Sequence, residues 1–206
     1  MTCKLTNAGK RFNREWIFRN SDLELTSSNS YAITGPNGSG KSTMLQCIGG
    51  MLQLSEGSLV FTVDSVPLAN EEVYKQISFC APYFDVIEEM TLVEFFQFHN
   101  QFKSFINNFS IHQVIDEVGL NYAKHKQIRF YSSGMKQRVK LAQAILSDVS
   151  IILLDEPCSN LDAAGIELYH SLINKYCKER LVIVCSNDEV EYIFTNERIS
   201  VLDYKK

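Results

Sequence analysis

No apolar stretch in this sequence approaches the roughly 18 to 20 residues that a bilayer-spanning helix needs, and the opening MTCKLTNAGKRFNREW carries no apolar run of signal-peptide type. Any membrane role must therefore come through a partner. Lysine and arginine are scattered and formal net charge is -4, so there is no electrostatic footprint for a nucleic-acid backbone or an anionic bilayer. Direct nucleic-acid binding is not expected. Among six cysteines, at 3, 47, 80, 158, 177 and 185, there is no C-x-x-C pair, and most sit inside apolar runs where cysteine behaves as a small hydrophobe, which fits a reducing cytosol. Histidine is scarce. The four, at 99, 112, 125 and 170, are isolated, lack metal-ligand spacing, and none follows residue 170.

What is present is a chain of 206 residues, 45% hydrophobic, long enough to bury the core of one large domain. Short β-like segments around 2–8 and 16–25 precede an apolar strand at 30–33 that runs into a glycine-rich stretch, with a helix expected from Lys41. Further β segments fall at 58–63 and 77–81. A section from about 92 to 123, with Leu, Val and Phe at helical spacing, reads as a helical insert. After it come helix 135–146, strand 150–154, helix 163–177, strand 181–185, helix 188–194 and strand 198–203. Strands alternating with helices of this length imply a parallel sheet covered on both faces, whose ligands bind outside the carboxyl ends of the strands.

The first such end carries Gly35-Pro36-Asn37-Gly38-Ser39-Gly40-Lys41-Ser42, a complete G-x-x-x-x-G-K-S match, with Thr43 next. Glycines let successive backbone N–H groups turn inward on phosphate oxygens, and the helix N-terminus adds its positive end. Lys41 supplies a charge to the β- and γ-phosphates and Ser42 a hydroxyl to Mg²⁺. A glycine-rich turn with a chance lysine is the bland alternative, and the strand before and helix after argue against it. A second end, IILLDEP at 151–157, presents adjacent carboxylates: Asp155 to hold the hydration shell of Mg²⁺, and Glu156, pointing the other way, to orient the water attacking the γ-phosphate.

The third element is YSSGMKQRVKLAQAIL at 131–146, which closely resembles the signature segment of the ATP-binding cassette (ABC) ATPases, L-S-G-G-Q followed by Q-R. Signature, Asp155-Glu156 and SNLD at 159–162 occur in the family's order, so the resemblance runs over essentially the whole chain. It implies an α/β fold of the P-loop NTPase ABC type: a mostly parallel central sheet, an N-terminal antiparallel β part, and an inserted helical subdomain at 84–147, in one domain over 1–206. It implies ATP and Mg²⁺ as ligands and a head-to-tail pairing, homodimeric or with a sister ABC subunit. In that pairing Ser132, Ser133 and Gly134 of one chain close on the nucleotide held by the other, and Asp162 sits across the interface. Phe12, 23 residues before Gly35, has the separation of the aromatic that stacks on adenine in this family, with Trp16 as its rival.

Two positions depart from the family. Where most members end the last catalytic strand in Thr-His-Asp, this chain reads Ser186-Asn187-Asp188. The switch histidine is replaced by Asn187, whose amide can still donate to a phosphate oxygen but cannot become cationic. A cap for the helix starting at 188 is the other reading of Asn187. Where the family places a glutamine after the strand at 77–81, this chain reads Ala81-Pro82-Tyr83, and no glutamine follows until Gln97. Lys41, Ser42, Asp155 and Glu156 are retained, so slow or partner-dependent hydrolysis is expected rather than loss of ATP binding.

The expected function is the ATP-binding and ATP-hydrolysing subunit of an ABC transporter, cytoplasmic and held at the inner face of the membrane by a separate transmembrane permease. The short chain after the last strand and the G-M-K-Q-R form of the signature resemble the exporter-type subunits, including the haem-exporter branch. A soluble ABC-type nucleotide switch, or a subunit that binds ATP and barely hydrolyses it, are the rivals. The Phe-rich run at 93–102 is expected to be mainly core, with an exposed docking surface as the alternative.

Overall fold

A computed structural model describes residues 1–205. Along the chain, β1 (Thr2–Phe12), β2 (Glu15–Thr26) and β3 (Ser30–Thr34) precede α1 (Lys41–Ile48). Then come β4 (Glu56–Val63), the two-residue β5 (Val66–Pro67), α2 (Asn70–Val73) and β6 (Ile77–Cys80). Helices α3 (Leu92–Asn100), α4 (Ile111–Glu117) and α5 (Ser133–Ile145) follow, and the chain closes with β7 (Ile151–Asp155), α6 (Ala163–Tyr176), β8 (Leu181–Cys185), α7 (Glu189–Tyr192) and β9 (Glu197–Ser200). It divides into two compact units. One comprises Met1–Ile77, Ser150–Asp155 and the chain from Glu179; the other comprises Ser78–Val149 and Glu156–Lys178.

The first unit holds two sheets. Strands β2-β1-β4-β5 form an antiparallel sheet, in which β1 pairs along its length with β2 and with β4. Strands β7-β8-β3-β9 form a parallel one. Every residue of β7 and β8 is buried, as a strand covered on both faces must be, and this explains why IILLD and LVIVC are continuous apolar runs without alternation. Helix α1 packs against β1, β3, β7 and β8 through Met44, Leu45 and Ile48, all fully buried. Five of the six cysteines are buried, and burial pushes Cys3 up to about 12, so that side chain behaves as a hydrophobe. The last strand is shorter than the expected 198–203. Its final pair is Thr34 with Ser200; β3 then turns away at Gly35, no partner remains, and Val201–Tyr204 coils into a 3-10 turn.

The second unit is helical, but 92–123 is not continuous helix. Helix α3 opens with a reciprocal capping box between Thr91 and Glu94, and α4 opens with another between Ser110 and Gln113. Between them Asn107 and Asn108 both adopt φ 53, a conformation asparagine tolerates better than most residues, and the chain reverses. Phe105 and Ile106 continue the apolar spacing yet lie in this connection, where the Ile106 amide donates to the Leu146 carbonyl. The insert is helical as expected, and its apolar spacing marks burial in helix and connection alike. The Phe-rich run splits: Phe95 and Phe96 are core, while Phe98 and Phe102 meet edge to face at 5.0 Å with Phe102 65% exposed. No helix among the described residues is long and apolar enough to cross a membrane.

Candidate nucleotide site

The G-x-x-x-x-G-K-S stretch is the loop between β3 and α1 in the first unit. Gly35, Gly38 and Gly40 take φ of 145, 76 and 105, and Gly40 is also the N-cap of α1. That cap has no choice of residue. A β-carbon at 40 would come within 2.2 Å of Ile17 Cγ2, and its φ is left-handed. Lys41 is almost wholly buried, and its ammonium donates to the carbonyls of Gly35 at 2.8 Å and Pro36 at 3.4 Å, so the cation is folded into the loop it follows. Ser39 is buried as well, and its Oγ is a buried polar atom without a hydrogen-bond partner. An orphaned hydroxyl beside a sequestered ammonium, at a helix start with no acid in its first turn, suits a phosphate chain. Ser42 and Thr43 follow in that first turn.

Asp155 ends β7 and is 2% exposed, in register with Cys185 at the end of β8. A carboxylate is a hard oxygen donor of the kind Mg²⁺ takes, so the residue type fits a share in holding that ion. The next residue, Glu156, is exposed and takes φ 44. A left-handed glutamate costs on the order of 1 to 2 kcal/mol, strain of the kind found at functional sites.

Asn187 leaves the end of β8, beside the P-loop strand β3. Its Nδ2 donates to Asn37 Oδ1 at 2.9 Å. Asn187 does not cap the following helix: Asp188 does, accepting from the Val190 amide at 3.0 Å, while Ser186 Oγ accepts from the Asp188 amide at 2.9 Å. Phe12 ends β1, 46% exposed, with the Lys10 ammonium 5.0 Å from its ring centroid. Trp16 is engaged differently. The Arg19 guanidinium lies 4.4 Å from its ring and is itself held by Glu56 at 2.6 Å, with Arg11 at 5.5 Å, and Trp16 is the less exposed of the two aromatics.

In the second unit, the signature forms the start of α5, two residues earlier than the spacing predicts. Ser132 is the N-cap and its Oγ accepts from the Met135 amide at 3.2 Å, which leaves its O–H to donate; Ser133 and Gly134 form the first turn. Tyr131, in the leucine position, is buried and donates to the Ala123 carbonyl at 2.8 Å; burial, with Tyr122 nearby, pushes its phenol up to about 12. Asp162 caps α6, accepting from the Gly165 amide at 2.8 Å, and the Arg138 guanidinium reaches it at 3.5 Å. Sequence reasoning passed over Gln137. It is buried and its Nε2 donates to the Pro157 carbonyl at 2.7 Å, tying α5 to the segment after Glu156. The Q-R pair was visible, but an amide buried in a helix leaves no mark in periodicity. The missing glutamine is replaced by an aromatic cluster in which Phe79, Tyr83 and Phe84 meet at 5.1 to 6.5 Å, and Lys140 donates to the Pro82 carbonyl at 3.2 Å.

Residues 18–159 match the family model described as ABC transporter. YhcH, an uncharacterized ABC transporter ATP-binding protein of Bacillus subtilis (strain 168), is 28% identical over 98% of this chain, which spans 67% of that protein's length. The cytochrome c biogenesis ATP-binding export protein CcmA of Reclinomonas americana is 28% identical, with 82% of this chain and 77% of that one covered. Among solved structures, the dimeric ATP-binding cassette MJ0796 in a post-hydrolysis state with ADP and Pi superposes with a TM-score of 0.80 at 25% identity, covering 96% of this chain and 93% of that one. With the loop, the paired acids and the signature in place, the chain belongs to the ABC transporter family, among its ATP-binding proteins.

Proposed function

We propose that this chain binds ATP with Mg²⁺, pairs head to tail with a second cassette, and couples hydrolysis to a separate transmembrane permease. The chain is an ATPase of its family; the partner, the metal and the residue roles are the parts proposed. The observation that carries the reading is the loop at 35–41, where a buried Lys41 and the partnerless Ser39 hydroxyl stand at the start of α1. Phe12 stacks on adenine. Lys41 and the amides of Gly38, Ser39 and Gly40 hold the β- and γ-phosphates, with Gly35, Pro36 and Asn37 forming the outer turn and Ser42 and Thr43 the helix start. Ser42 and Asp155 hold Mg²⁺, which supplies charge neutralisation on the phosphates when bound. Glu156 orients the attacking water, and Asn187 senses the γ-phosphate. Ser132, Ser133 and Gly134 serve the nucleotide of the paired chain, with Asp162 at that interface.

The neutral Asn187 and the absence of glutamine at Pro82 support slow or partner-dependent turnover, because an amide supplies less electrostatic stabilisation than an imidazolium. The test is phosphate release by the purified protein alongside binding of a fluorescent ATP analogue. Glu156→Gln is expected to lower turnover by about a hundredfold or more while leaving binding intact. Unchanged turnover in that variant would remove Glu156 from the mechanism. The same variant, tagged and held in ATP, is then used to recover partners from detergent-solubilised membranes. A stoichiometric polytopic protein identifies the permease, whereas recovery of soluble proteins alone overturns the transporter assignment.

A further inference from the structure

We infer that Asn187 is a positioning residue that acts on the terminal phosphate through Asn37, so that the two asparagines form one sensor; this rests on the ATP-binding reading of the loop and deepens it. Strands β3 and β8 are parallel neighbours, with Ile33 opposite Cys185, so the P-loop and the Ser186-Asn187-Asp188 trio leave adjacent strand ends. Two of the trio are committed locally. The Ser186 amide donates to the Ile33 carbonyl at 3.3 Å and its hydroxyl accepts from the Asp188 amide, while the Asp188 carboxylate caps α7. The backbone of Asn187 is thus held from both sides. Its side chain crosses to the P-loop, where Nδ2 donates to Asn37 Oδ1 at 2.9 Å.

An asparagine amide is planar and carries one acceptor and one two-hydrogen donor group. Fixing Asn37 Oδ1 on Asn187 therefore orients the NH₂ of Asn37. Asn37 stands between Pro36 and Gly38 in the loop and is exposed. The group presented there to a third phosphate is a neutral donor pre-oriented by a neighbour. A histidine at 187 would bring charge; Asn187 brings orientation. The consequence is specific to ATP over ADP, since only ATP carries a third phosphate to receive that donor.

The test is a double-variant cycle on equilibrium affinities for ATP and for ADP, measured with Mg²⁺ by competition against a fluorescent nucleotide, so that it does not depend on turnover. Asn187→Ala and Asn37→Ala are each expected to lower the ATP-to-ADP affinity ratio about three- to tenfold. The double variant is expected to lose no more than the worse single one. Ratios that multiply in the double variant, or a ratio unmoved by Asn187→Ala, would overturn the relay. Asn187→Gln, which keeps the donor on a longer arm, is expected to recover part of the ratio. A wild-type protein that binds both nucleotides but releases no phosphate leaves the relay measurable while sinking the hydrolytic assignment.

Discussion

Gly40 and Ile17 touch so closely that no side chain fits between them: a β-carbon on Gly40 would lie 2.2 Å from Ile17 Cγ2. The start of α1 is thereby pressed against β2 of the antiparallel sheet, and the loop amides are held where a phosphate chain can meet them. Gly40→Ala faces both this clash and a φ of 105. It is expected to lower ATP affinity by at least about tenfold and to destabilise the fold by roughly 1 to 3 kcal/mol. Adding Ile17→Ala removes the clash and leaves the backbone cost, so partial recovery of stability in the double variant, followed by chemical denaturation, separates the two causes.

The two aromatics at the end of the first hairpin make opposite predictions. Phe12 has open surface, whereas Trp16 already carries Arg19, itself bound to Glu56. Stacking a base on an aromatic contributes about 1 to 3 kcal/mol by alanine substitution. Phe12→Ala should therefore weaken ATP binding about tenfold and Phe12→Tyr should preserve it, while Trp16→Phe leaves nucleotide affinity within about twofold. A larger loss at Trp16 than at Phe12 in a binding titration would exchange their roles.

His99 makes stability depend on pH. Burial, with Lys103 nearby, lowers it from the usual 6.5 to about 4, and the neutral ring bonds Ser147 Oγ at 2.7 Å and Gln143 at 3.2 Å. Between pH 6.5 and 4 the unfolded chain binds a proton at this ring that the folded chain does not, so stability rises with pH through that window. The contribution is complete above about 6.5 and lost on acidification towards 4, on the order of 2 kcal/mol in all. Thermal unfolding across that range should show a steeper fall for the wild type than for His99→Gln. Parallel curves would mean that His99 is solvated.

The glycine-rich loop and the buried strands were legible because each is local. A phosphate loop needs glycines, a lysine and a helix start within eight residues, and IILLD and LVIVC announce buried parallel strands by being apolar without alternation. Helix continuity across 92–123 was not legible, because buried connections such as Phe105-Ile106 carry the same apolar spacing as a helix face. Nor was the end of β9, which depends on where its neighbour β3 turns away.

By itself the sequence determined the phosphate loop, the paired acids at 155 and 156, the signature, and the loss of histidine and glutamine at two positions, since these are properties of residue type and spacing. Only the tertiary structure decided that Asn187 meets Asn37, that Arg19 sits by Trp16 while Phe12 is the more exposed ring, and that Gln137 braces Pro157. Those pairs lie far apart in the chain or differ in what covers them, and a side chain's partners are set by which strands become neighbours, a relation that no local pattern encodes.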